Sequence, residues 1–145
     1  MNKEDKELLL KDLSARLPYG VCVEHTKGFR GTLHNITIHH MYDDNDNIYD
    51  AICYTDFFGD NDDIYIEYFK PYLFPLSSMT EEQHTDMFNY YHNAEIEEIH
   101  ASGDYLKAAY IGDDKKYEWL NRNHFDYRGL IEKGLAIDAT GMNIY

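Results

Sequence analysis

Leucines at positions 9, 10, 13 and 17 recur at three- and four-residue spacing with charges between them, which predicts a helix over residues 3–17. Pro18-Tyr19-Gly20 ends it, because proline cannot continue the helical ladder and restrains the residue before it. Period-two alternation takes over downstream. Strands are expected at about 21–24, 31–40, 48–55 and 64–69, separated by polar turns rich in Asp, Asn and Gly. In the second strand the alternation sets His34, Ile36, Ile38 and His40 on one face, and Leu33, Asn35, Thr37 and His39 on the other.

The apolar stretch Lys70–Leu76 carries Pro71 and Pro75 and is expected to be an ordered crossing segment rather than an inner strand. Helical spacing returns at about 80–100, with Met87, Tyr91 and Ala94 inward. Two overlapping capping boxes precede it, Ser78 with Glu81 and Thr80 with Gln83. Residues 104–112 fit helix and strand equally. A further helix is expected at about 114–123, packing Tyr117, Trp119 and Leu120, and a last one at 127–133 capped by Asp126. The expected fold is α+β, one domain over residues 1–145: an N-terminal helix, a four-stranded antiparallel meander, then two or three C-terminal helices packed on the sheet.

Composition changes this picture little. At 145 residues with 43% hydrophobic content, including 14 Tyr and 7 Phe, the chain can bury a core rich in aromatic rings. No apolar run approaches the roughly 20 residues a membrane helix needs, and the N-terminus lacks the basic-then-apolar layout of a signal peptide. Cys22 and Cys53, both in expected strands, read as buried thiols of a reducing compartment. A cytoplasmic location is expected.

The charge is local. Residues 1–30 carry six bases and five acids, and residues 107–145 carry six of each. Residues 31–106 carry sixteen acids and one base, Lys70, for a net charge of −15. Such a field disfavours direct nucleic-acid binding and anionic membranes and leaves a protein partner, basic in character, as the natural counterpart. The turn and strand acids Asp43, Asp44, Asp46, Asp60, Asp62, Asp63 and Glu67 form the candidate interaction surface.

Several constellations invite chemistry and lack its spacing. A calcium loop starting at Asp44 or Asp60 would need glycine at its sixth position, where Tyr49 and Tyr65 stand. Glu81 with His84 and Glu97 with His100 have the Glu-x-x-His spacing of carboxylate-bridged metal bundles. Both fall on one expected helix, about 24 Å apart, and cannot share a site. Glycine-rich phosphate loops, Cys-x-x-Cys pairs and a nucleophile elbow are missing, so no catalytic, cofactor-binding or metal-ligating residue is assigned. His124, Asp126 and Arg128 make a candidate polar patch, which capping by Asp126 and pairing of Arg128 with an acid would also explain. Tyr65 and Phe69 are the aromatics that an exposed edge strand would offer to a second chain.

Three stretches carry a resemblance: LLKDLSARLPYGV at 9–21, KPYLFPLSSMTEE at 70–82, and WLNRNHFDYRGLI at 119–131 continuing to Gly134-Leu135-Ala136. They resemble a family of small proteins of Bacteroides-type gut bacteria, their phages and mobile elements, which has no assigned activity. The resemblance implies a setting and no catalytic residues. The expected function is that of a non-enzymatic acidic accessory or interaction protein, associated with a phage or mobile element. An acidic nucleic-acid mimic that inhibits a DNA-binding or defence protein is the first alternative, and a metal-dependent enzyme the second.

Overall fold

The computed structural model describes residues 1–43, 46–56 and 64–145, with the backbone alone for 39–43 and 46–50. The chain divides into two compact units: Met1–Leu73 with Arg128–Tyr145, and Phe74–Tyr127.

The first unit opens with helix α1, Lys3–Arg16, whose N-cap Asn2 accepts from the Asp5 amide at 2.7 Å. Strands β1 (Cys22–His25), β2 (Arg30–Asp43) and β3 (Asp46–Thr55) follow, and β4 spans Phe69–Pro75. The strand order is β3-β2-β1-β4, antiparallel at each of these pairings. The two-residue strand β6, Ile137–Asp138, adds to β4 in parallel. Leu9 and Leu13 of α1 are fully buried against Val21, Val23, Leu33, Ala51, Cys53, Ile66 and Phe69. The leucine spacing therefore marks the face that closes this core.

Four expectations change here. Residues 64–69 are not the fourth strand: Ile66–Tyr68 form a tight 3-10 turn, and the strand is the proline-bearing stretch 69–75. Pro71 stands opposite Val23, where alternation turns its missing N–H away from β1, so the ladder loses no bond. Parallel pairing by β6 also means the sheet is not a pure antiparallel meander. Within β2 the register shifts between Leu33 and Asn35, a bulge at His34. That extra residue brings Leu33 and Ile36 onto the same core, where strict alternation had separated them. Phe69, expected as an exposed edge aromatic, is fully buried.

Residues 127–133 form turns instead of a helix. Leu130 accepts from the Leu135 and Ala136 amides at 2.8 and 3.2 Å, and these three residues pack with Leu73 as a second small core. Asp126 is accordingly part of strand β5 and caps nothing.

The second unit is a helical hairpin. Helix α2 runs Glu81–Ser102 and α3 runs Tyr105–Arg122, which settles the ambiguous stretch 104–112 as helix. The Thr80–Gln83 capping box forms, while Ser78 donates instead to the Pro75 carbonyl at 2.7 Å. Gly103 ends α2 in a left-handed conformation (φ 68°), and Asp104 caps α3 through the Lys107 amide at 3.0 Å. Phe74 and Pro75 of β4 pair in parallel with β5, Phe125–Asp126. Trp119, Leu120 and Phe125 form this unit's core, edged by Met87 and Tyr90. Tyr117, expected inward, is exposed. Among the described residues no helix is long and apolar enough to cross a membrane.

The first unit rests on one buried charge cluster. Asp12 and Arg16 are both fully buried one helical turn apart. Arg16 donates through Nε to Asp12 Oδ2 at 2.8 Å and through Nη2 to Oδ1 at 3.0 Å. Arg128 Nη1 donates to the same Oδ1 at 2.8 Å. Removing one partner of a buried ion pair strands the other charge in a dry interior, at a cost of about 3–5 kcal/mol. Asp12→Ala is therefore expected to lower the free energy of unfolding by about that much in urea denaturation. A loss below about 1 kcal/mol would show that water reaches the cluster.

Candidate functional site

The acidic surface anticipated from sequence is only partly visible. Asp44, Asp60, Asp62 and Asp63, and the side chains of Asp43 and Asp46, lie outside the described residues. Glu67 is described and faces Lys6 at 3.1 Å, so its charge is locally balanced. The acids of α2 are largely engaged within the hairpin. Trp119 Nε1 donates to Asp86 Oδ2 at 2.9 Å, Glu98 pairs with Lys107 at 2.8 Å, and Glu95 lies 3.6 Å from His92 while covering Gly112.

The polar patch is not a single cluster. Arg128 belongs to the first unit and is committed to Asp12. His124 and Asp126 belong to the second, where both are buried. His124 turns the chain with φ at 60°, an uncommon value for a residue bearing a Cβ. Its carbonyl accepts from the Phe74 amide at 2.9 Å. Both Glu-x-x-His pairs lie on α2, and among the described residues no three His, Cys, Asp or Glu side chains converge on a metal-sized space.

A second polar arrangement lies on the sheet. The Tyr72 hydroxyl donates to the Glu24 carboxylate and accepts from Arg30 Nε at 3.1 Å, and the guanidinium packs over the ring at 4.7 Å. Burial raises the Tyr72 phenol above its ordinary value, and the Glu24 contact adds to that. The Tyr145 hydroxyl donates to the Tyr72 carbonyl at 2.7 Å and accepts from the Cys22 amide at 3.2 Å. Burial of that hydroxyl pushes its pKa well up, although other parts of the residue are exposed. Every group here has a protein partner, so the arrangement stitches strands together.

The hairpin carries the feature without a structural use. Four contacts fix its register: Asp86 with Trp119, Tyr90 with Glu118, Glu95 with Gly112, and Glu98 with Lys107. Helical geometry then sets Phe88, His92, Ile96 and Ile99 along one side of α2, and Leu106, Tyr110, Asp113 and Tyr117 along the same side of α3. Phe88 is 46% exposed, Ile96 39%, Leu106 68%, Tyr110 66% and Tyr117 47%. Rings within the strip hold one another. Phe88 stacks on His92 with centroids 4.9 Å apart and meets Tyr91 edge-on at 5.4 Å. The opposite side of the hairpin carries Asn89, Asn93, Glu97, Lys107, Asp114 and Arg122. Along all 22 residues of α2, every one described, no side chain is fully buried.

Sequence reading missed this strip because half of it falls in residues 104–112, which could not be assigned to helix. The four-residue steps 88, 92, 96 and 106, 110 were its only signal. No family model, curated protein or solved structure matches the chain.

Glu118 ties the hairpin together and makes it sensitive to acid. It accepts from Lys115 at 2.8 Å, Tyr90 at 2.9 Å and Arg122 at 3.1 Å. The Lys115 bond, helped by Tyr90, holds its carboxyl below the ordinary glutamate value of 4.5. A carboxylate with a lower pKa folded than unfolded stabilises the fold above its unfolded value and loses that contribution as pH falls. Thermal stability is therefore expected to fall as pH drops below 4.5, with a smaller fall in Glu118→Gln; equal slopes in both proteins would contradict this. The thiols give an independent check. Burial pushes Cys53 up to about 12 and, to a lesser degree, raises half-buried Cys22. Both are expected to resist alkylation at neutral pH in the folded protein and to react on unfolding. Native-state reaction of Cys53 at the unfolded rate would refute its burial.

Proposed function

We propose that this chain is a non-enzymatic interaction protein that engages a protein partner through the exposed aromatic side of its α2–α3 hairpin. One observation carries the reading: a contiguous strip of Phe88, Ile96, Leu106, Tyr110 and Tyr117 stays open on a hairpin whose other side is polar. Contiguous exposed apolar surface is costly in water and marks interaction sites, and rigid aromatic rings are the side chains that anchor them. The resemblance to proteins of Bacteroides-type bacteria, their phages and mobile elements supports an accessory role in such a setting. Two free cysteines suit a reducing cytoplasm.

The alternatives draw less support. A nucleic-acid mimic needs a run of free carboxylates, whereas Asp86, Glu95 and Glu98 of α2 have partners inside the hairpin. A metal-dependent enzyme needs convergent ligands, and the described residues offer no group of three.

Photo-crosslinking tests the reading in cells that express the full chain. A photoreactive residue at Tyr110 is expected to form protein adducts, and the same residue at Asn93, on the polar side, is expected to form few. Equal labelling at both positions, or none at Tyr110, would refute engagement through this face.

A further inference from the structure

We infer that the occupant of the hairpin face is a second copy of this chain, and that two hairpins close a four-helix bundle. This rests on the proposed interaction role and names its partner. A helical hairpin is half of a bundle: α2 and α3 bury a narrow seam between themselves and have no third element over the strip described. Another identical hairpin is the simplest body that fits.

The levels along the hairpin are self-complementary. The internal contacts set Phe88 level with Tyr117, His92 with Asp113, Ile96 with Tyr110, and Ile99 with Leu106. A two-fold axis parallel to the hairpin, lying in the interface, carries α2 of one protomer onto α3 of its partner at the same level. Each apolar residue then meets its level partner from the other copy, and every neighbouring pair of helices is antiparallel, as in an up-down bundle. Only one cross-pair on this face is polar. His92 of one copy lies opposite Asp113 of the other, a donor against an acceptor, and the two-fold makes the pair twice.

Charge elsewhere agrees with this arrangement. The acids Glu97 and Asp114 lie on the side turned away, so the repulsion between two acidic chains is spread outward into solvent. Area agrees as well. Five aromatic or aliphatic side chains, each roughly half exposed, with the half-buried Tyr91, His92 and Ile99 beside them, present about 600 Å². A stable interface needs about 800 Å² from each partner, which the flanking stems of the polar neighbours complete. The register also separates this surface from the edge-strand pairing that Tyr65 and Phe69 suggested in sequence, since Phe69 is in the core.

Sedimentation of the full chain over a range of concentrations tests the inference, with circular dichroism to confirm that each variant is folded. The wild-type chain is expected to sediment at twice its monomer mass in the low-micromolar range. Phe88→Glu and Tyr110→Glu, each with an unchanged helical signal, are expected to weaken the dimer at least about 30-fold. Asn93→Glu, on the polar side, is expected to leave it unchanged. The two-fold has its own readout: His92→Cys mixed with Asp113→Cys should give a disulfide-linked pair on a non-reducing gel, and neither variant alone should give it. Three results would overturn the inference: a monomer at several hundred micromolar, a dimer indifferent to both face variants, or linkage independent of mixing. A monomer whose Tyr110 position still crosslinks to a different protein would reject the second copy and leave the interaction role standing. A monomer with no Tyr110 adduct would remove both.

Discussion

The first unit is organised around a carboxylate that water cannot reach. Asp12 carries its charge into a site with no exposed surface, and two guanidiniums from distant parts of the chain supply its hydrogen bonds. Leu9 and Leu13 on the same helix leave little freedom to relieve that site by rotation, because turning α1 would expose them. The helix is thus held by a polar and an apolar constraint that agree on one orientation. A buried ion pair is weak evidence for stability in itself, but breaking it is costly, so it discriminates against folds in which Arg128 is elsewhere.

Much of the architecture was legible in sequence where periodicity and capping coincide. Leu9, Leu10, Leu13 and Leu17 announced α1, and Thr80 with Gln83 announced the start of α2. The misreadings have physical causes. A single extra residue at His34 breaks the period of two, and no alternation rule can foresee a bulge. The strand at 69–75 was discounted for its prolines, because whether a proline costs a ladder bond depends on which way its nitrogen points, a property of the partner strand. Asp12 and Arg16 read as two more charges on a helix surface; only the arrival of Arg128 across more than a hundred residues shows them to be interior. The site was less legible than the fold. Acid counts pointed to residues 43–67, whereas the uncompensated feature is an apolar strip on two helices whose register no local pattern encodes.

Two kinds of surface are therefore set against each other in one small chain. Acids are numerous but, on the described helices, repeatedly matched: Glu118 gathers Lys115, Arg122 and Tyr90, and Glu98 holds Lys107. Aromatics are numerous and, on one side of the hairpin, unmatched. Charge matched locally contributes solubility and limits wrong partners, and the specific free energy of association then falls to the rings.

The division of the chain also sets an order in time. The hairpin unit is one uninterrupted stretch, Phe74–Tyr127, built from contacts between neighbouring helices. The other unit is assembled from two stretches on either side of it, and the guanidinium of Arg128 belongs to the later one. A chain emerging from the ribosome therefore has every residue of its hairpin before it can complete the unit it began first. Until then the α1 carboxylate has only its helical neighbour Arg16. Closing a loop of this length costs entropy that local helix formation does not, so the shorter path folds ahead of the longer one. The hairpin, by shortening the distance between its own ends, brings the last segment within reach of the first.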